Sequence, residues 1–302
     1  MPSLKALLPS GLLRMAALGL SGFVASPAFA AKSAMKGAEE IVIQRPYGPL
    51  VVAVASPAPG KLAEEPLLLL NFSADRMASL PGGRYGSIVR PFLDQGHRVA
   101  SFDLPAHGDR IEKKYGSGIA GMSASIAAGE DVFALFVEDG RAVIDALIKR
   151  GLAKEGRIVL CGVSRGGYCV LRLAAADSRI AAVAGLAPVT DWRELREFAA
   201  IKDRPAVAEL ALTNYAAQLA GRRVYVASGN ADTRVGTAAC LRFILALSSA
   251  EKQLGLTKSF LRFHVVDDSV GHSLATRWRR EGIQFLLADA PAPKTANGQG
   301  LP

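Results

Sequence analysis

The run Ile158-Val159-Leu160-Cys161-Gly162-Val163-Ser164-Arg165-Gly166-Gly167 constrains this chain more than any other stretch. An apolar β-type segment leads into G-x-S-x-G, and a helical segment follows through Ala176. A strand that becomes a helix within so few residues holds the serine at a strained φ/ψ. Glycines at 162 and 166 remove side chains that would collide with the neighbouring strand and helix. Ser164 then stands at the tip of the bend. The Arg165 N–H, in the first helical turn, points into the same space, where it can donate to a developing oxyanion. Taken alone the pattern also fits an ordinary glycine turn; its place between a strand and a helix favours a nucleophile.

The rest of the chain supplies the alternation such a bend needs. Ile41 to Ile43 and Leu50 to Ala55 are short β-type runs around Pro46-Tyr47-Gly48-Pro49, a spacing that suggests an antiparallel hairpin. Leu67 to Phe72 is an uninterrupted apolar run of the kind covered on both faces of a sheet. Further strands are expected at Arg98 to Phe102, Arg157 to Cys161, Ile180 to Leu186, Arg223 to Ala227 and Phe260 to Val266. Helices are expected between them, one carrying the stripe Val132, Leu135, Phe136, Val143 and Leu147. Repeated β-α units imply a mostly parallel eight-stranded sheet with helices on both faces, because parallel neighbours need a crossover. Chemistry in such sheets gathers at the carboxyl ends of the strands. Residues 188–222 interrupt the rhythm with apolar positions but no strand, the mark of a small helical cap.

Composition agrees with a globular core: 302 residues, 50% apolar and 21% charged, too apolar for disorder. Residues 1–30 read as a secretory leader, with Lys5 and Arg14 ahead of the apolar run Met15 to Ala25 and a small-x-small site at Ala28-Phe29-Ala30. The expected mature domain spans 31–289, and 290–302 reads as a disordered tail. The apolar run is short for a membrane span, so an exported protein, periplasmic or extracellular, without stable membrane insertion after cleavage is expected. The formal charge of +9 comes from scattered basic residues with no nucleic-acid motif, so no nucleic-acid partner is expected. Cys161, Cys169 and Cys240 have no paired spacing and read as buried thiols, not as a disulfide or metal cluster; no metal is expected.

A serine hydroxyl needs a base to take its proton and a carboxylate to orient that base. His272, in Val270-Gly271-His272-Ser273 between the last strand and the last helix, is the expected base. His107 is its rival, His264 reads as a packed strand residue, and His97 stands at a strand entrance. The carboxylate is expected after the penultimate strand, at Asp232. Asp191 is the second choice, with Asp267 or Asp268 behind it. The second oxyanion donor is expected in Asn71-Phe72-Ser73-Ala74, from the N–H of Phe72 or Ser73. Trp192 and Phe198 are candidate lining for a lid pocket. Arg165 could take an anionic group of the substrate, or pair with a carboxylate.

The ordered set formed by Gly162-Val163-Ser164-Arg165-Gly166-Gly167, Asp103-Leu104-Pro105-Ala106-His107-Gly108, Gly229-Asn230-Ala231-Asp232 and Gly271-His272 resembles the α/β-hydrolase fold serine hydrolases, in their esterase and prolyl-oligopeptidase-like branch. The resemblance covers about residues 40–288. It implies a Ser164/Asp232/His272 triad, an acyl-enzyme intermediate and no cofactor, with the Asp-x-Pro-x-His-Gly loop structural, which leaves His107 out of the triad. The chain departs from many relatives in carrying Asn71-Phe72 where they carry His-Gly. The 36 residues from 31 to 66 are too few for the propeller of oligopeptidases, so a small-molecule ester is the expected substrate. A peptidase or amidase of the same fold is the alternative. A non-catalytic exported binding protein is the third reading, suggested by the altered loop.

Overall fold

The apolar runs form strands β1 (Ala38–Arg45), β2 (Gly48–Ala55), β3 (Leu68–Phe72), β4 (Arg98–Phe102), β5 (Ile158–Val163), β6 (Ile180–Leu186), β7 (Arg223–Gly229) and β8 (Leu261–Val266). They join in one sheet in the order β1-β2-β4-β3-β5-β6-β7-β8. The computed structural model describes residues 38–268, 271–272 and 276–288, with residues 276–278 described by their backbone alone. The expected leader at 1–30 and tail at 290–302 lie outside the described residues.

The sheet is mixed: most of its strand pairs are parallel, as expected, and the hairpin makes one edge of it antiparallel. The pairs from β4 through β3, β5, β6 and β7 to β8 are parallel. β1 and β2 pair antiparallel, and β2 pairs antiparallel with β4. The reason is the connection: only Pro46 and Tyr47 separate β1 from β2, which permits a hairpin and no crossover.

Helices α1 (Arg76–Ser79), α2 (Gly86–Asp94), α3 (Gly118–Ala127), α4 (Val132–Lys149), α5 (Arg165–Ala176), α6 (Pro205–Glu209), α7 (Ala216–Leu219), α8 (Thr237–Gln253) and α9 (Thr276–Leu287) follow in chain order. Side-chain alternation in the buried strands sorts them between two faces. Leu68, Leu70, Phe72, Ile158 and Leu160 pack with Met122 of α3, Phe136 of α4, Leu171 of α5 and Phe243 of α8. Leu69, Val159, Cys161 and Val163 pack with Ile88 and Phe92 of α2 and Phe285 of α9. A strand buried on both faces needs no polar alternation, which explains the unbroken apolar letters of β3 and β5. Among the described residues, no single helix is long and apolar enough to cross a membrane.

The segment 188–222 holds 3-10 turns at Trp192–Glu194, Arg196–Phe198 and Leu212–Tyr215 together with α6 and α7. Trp192 and Phe198 within it are core residues, not pocket lining. Trp192 and Phe198 are fully buried; the Trp192 ring stacks on Phe133 with centroids 4.6 Å apart and stands edge-on to Tyr168 at 5.0 Å. The apolar area of these large rings is better buried in the core than exposed in a cleft.

At the other end of the sheet, Asp139 of α4 is fully buried between Arg45 of β1, at 2.9 Å, and Arg110, at 2.7 Å. The Tyr47 hydroxyl also donates to it. This cluster fastens the hairpin to the domain. The three cysteines are free and buried, and burial pushes each thiol up to about 12, so none of them is an accessible thiolate.

Candidate active site

The bend at Ser164 has the strain its glycines foretell. Ser164 sits at φ 56° and ψ −116° between β5 and α5, a region costly for a residue with a Cβ. Its backbone is held from three sides: its N–H donates to Leu186 O at 2.9 Å, and its carbonyl accepts from Val189 N at 3.0 Å and Tyr168 N at 3.2 Å. A Cβ on Gly162 would stand 2.2 Å from Gly166 O, and one on Gly166 would stand 2.1 Å from Phe72 O. The turn closes only because both positions lack side chains. The first-turn N–H of Arg165 has no intrahelical acceptor, so it is available to an oxyanion.

Asp232 and His272 come from the ends of β7 and β8, which lie beyond β5 and β6 in the same parallel run. His272 Nδ1 donates to Asp232 Oδ2 at 2.7 Å. Asp232, 3% exposed, is braced on its other oxygen, where Oδ1 accepts from the N–H groups of Arg234 at 2.9 Å and Val235 at 3.0 Å. The Asp232 N–H donates to Thr237 Oγ1, whose hydroxyl donates to Gly229 O at 2.7 Å. With Nδ1 facing a carboxylate, Nε2 is the imidazole nitrogen left to take a proton from a nucleophile.

The loops carrying these two groups are tied to each other. Asn230 Nδ2 donates to Asp267 Oδ1 at 3.3 Å, and Asn230 Oδ1 accepts from the Asp268 N–H at 2.9 Å. The Thr233 N–H donates to Gly271 O at 3.0 Å. Asp267, through its carboxylate, and Asp268, through its backbone N–H, therefore tie this loop to Asn230. Asp191, the second choice for the carboxylate, caps the turn at Trp192 and gives both oxygens to Arg193, at 2.6 Å for the shortest contact.

The other histidines serve elsewhere. His107 Nδ1 donates to Pro105 O at 2.8 Å, and burial, reinforced by the Arg165 charge, lowers its pKa. Its loop is anchored by Asp103, which accepts from the N–H groups of Arg76 at 2.7 Å and Asp109 at 2.8 Å. His264 pairs with Glu281 at 3.2 Å on the edge strand β8 and is partly exposed, a correction to its reading as a packed residue. His97 Nδ1 accepts from the Leu67 N–H at 3.3 Å.

The loop after β3 departs from expectation. The Ser73 N–H donates to Ser79 Oγ at 3.2 Å, and Phe72 is the last residue of β3, paired with Gly162 of β5, its ring packed against Phe102 and Phe136. Ser79 is the hub: its hydroxyl donates to Asp75 O at 2.9 Å, and its carbonyl accepts from Asn71 Nδ2 at 2.6 Å. As arranged, Ser73 N–H is engaged within its own loop and is not a free donor. Arg165 Nε donates to Ser73 O at 3.1 Å, so the expected carboxylate partner of Arg165 is in fact a carbonyl. Ser79 and Asn230 were not legible as site residues; only their spacing from Asn71 and Asp232 in folded space reveals them. Among the described residues, no three His, Cys, Asp or Glu side chains are grouped to hold a metal ion.

Residues 135–281 match the prolyl oligopeptidase family. That stretch contains Ser164, Asp232 and His272. No curated protein matches the sequence. Among solved structures, the chain is similar to dipeptidyl peptidase 4 from Porphyromonas gingivalis, with TM-score 0.60 and 17% identity over 82% of this chain and 35% of that one. It is similar to 2,6-dihydroxy-pseudo-oxynicotine hydrolase, with TM-score 0.60 and 20% identity over 83% of this chain and 68% of the other. It is also similar to a cold-adapted esterase from an Arctic intertidal metagenomic library, with TM-score 0.60 and 17% identity over 84% of this chain and 95% of that one. The chain spans about a third of the length of the dipeptidyl peptidases it matches. The sheet order, the strained serine and the likeness to these structures give the chain the α/β-hydrolase fold, and over residues 135–281 it is similar to the prolyl oligopeptidase family.

Proposed function

We propose that Ser164, His272 and Asp232 form a catalytic triad that hydrolyses a carboxylic ester through an acyl-enzyme. The carrying observation is the 2.7 Å bond from His272 Nδ1 to buried Asp232, on the same sheet end as a serine at φ 56°. His272 Nε2 takes the Ser164 proton as Oγ attacks the carbonyl carbon, and Asp232 holds the imidazolium that forms. The negative charge on the carbonyl oxygen is met by the Arg165 N–H and by a donor released from the loop after β3 when substrate displaces the Ser73–Ser79 bond. His272 then protonates the departing alcohol. Water, deprotonated by the same nitrogen, attacks the acyl carbon and frees Ser164.

The ester reading is supported by the likeness spanning nearly the whole of the esterase. The family match favours the second reading, cleavage of an amide or peptide bond by the same residues. Segment 188–222 acts as a fixed cap in either case. Export from the cytoplasm belongs to the proposal and is supported by the charged front, apolar run and Ala28-Phe29-Ala30 of the first 30 residues.

Turnover of p-nitrophenyl acetate by the wild type, its loss in Ser164→Ala, and labelling of Ser164 by a fluorophosphonate are the expected results. Equal turnover by both proteins refutes the triad. Absence of an adduct on Ser164 favours a non-catalytic binding protein. A parallel assay on p-nitroanilide substrates separates the two bond types.

A further inference from the structure

Arg165 carries a charge that the fold leaves unpaired beside the nucleophile. Its Nε is spent on Ser73 O at 3.1 Å. Among the described residues, its two terminal nitrogens have no hydrogen-bond or ion-pair partner, whereas Arg45, Arg76, Arg110, Arg179, Arg193 and Arg234 all pair with carboxylates. Burial, the largest influence, lowers the Arg165 pKa; a guanidinium remains charged even so.

The neighbouring groups do not cancel that charge. Glu197 gives both oxygens to Arg234, at 2.6 and 2.9 Å. His107, whose Nδ1 faces Pro105 O, offers Arg165 no negative charge. The side chain reaches from α5 to the loop after β3, where, among the described residues, only its Nε is engaged. A planar fork with two adjacent donors fits a carboxylate.

We propose that Arg165 is a specificity-determining residue that receives a carboxylate on the substrate, so that the preferred substrate is a small ester bearing a free carboxylate within a few bonds of the scissile carbonyl. The inference rests on the hydrolase reading above. Two half-acids place the anion on either side of the ester: monomethyl glutarate on the acyl side and O-acetylglycolate on the alcohol side. Methyl butyrate and ethyl acetate are their neutral partners, all followed by proton release at constant pH.

For at least one pair, kcat/KM of the wild type is expected to favour the anionic ester by about 10-fold or more, as a charge-assisted contact implies, and the preferred pair identifies the side. Arg165→Met also removes the clamp on Ser73 O and slows both substrates, so the anionic-to-neutral ratio is the readout; it falls to near unity. Arg165→Lys, which keeps the charge without the clamp, recovers part of the ratio. A wild-type ratio near unity in both pairs, or a ratio unchanged in Arg165→Met, overturns the assignment. Neutral-ester turnover that survives Ser164→Ala instead defeats the hydrolase reading and this inference with it.

Discussion

Replacing Asp232 by Asn tests the charge of the acceptor while keeping its shape. Asp232 Oδ1 is fixed by two turn N–H groups, at 2.9 and 3.0 Å, and Oδ2 faces His272 Nδ1 at 2.7 Å. Asparagine keeps its carbonyl oxygen on the two N–H donors and so turns its NH2 toward Nδ1. The imidazole must then accept at Nδ1 and carry its proton on Nε2, the nitrogen that should take the serine proton. A loss of about 10⁴-fold in kcat follows, as for the same exchange in other triads. The folding cost is smaller: charge-assisted bonds become neutral ones at a total of about 1–2 kcal/mol, and Tm falls by roughly 2–4 °C for a chain of this size. Asp191→Asn is the control, since Asp191 is committed to Arg193, and its kcat should stay within a few-fold of wild type. Ester turnover and thermal unfolding of the three proteins decide the matter. Asp232→Asn within about 10-fold of wild type, or a larger loss in Asp191→Asn, refutes the reasoning.

Gly166→Ala should lower kcat/KM by about 10²-fold, because a Cβ 2.1 Å from Phe72 O must push α5 and the β3 loop apart by about an ångström at the reacting centre; steady-state kinetics on folded protein check this. Gly140→Ala is its comparison, since the added Cβ meets only the Leu173 side chain, at 2.6 Å, and activity per folded molecule should persist. Asp139→Ala leaves Arg45 and Arg110 partly buried without their shared carboxylate and should cost about 3 kcal/mol in urea unfolding; a loss under about 1 kcal/mol would mean that the two guanidinium groups reach water unaided.

The sequence alone determined the alternation of strands and helices, because a strand buried on both faces has to be apolar throughout and a connecting helix has to keep a stripe. It also determined the bend at Ser164, because only glycine permits backbones 2.1 and 2.2 Å from a would-be Cβ at positions 166 and 162. The hairpin of β1 and β2 was legible from Pro46-Tyr47-Gly48, but its consequence, a mixed sheet, depends on where β2 docks against β4, and that is settled by long-range pairing. Strand order ranked Asp232 ahead of Asp191 but did not exclude the latter: both follow strands and both accept turn N–H groups, and the folded arrangement sets His272 against Asp232. Trp192 and Phe198 read equally as core or as pocket until packing sealed them. Ser79 left no trace, since a hydroxyl's partners are chosen by distances across a loop. What a residue is made of restricts the local backbone; which groups it meets is decided by the closure of the whole chain.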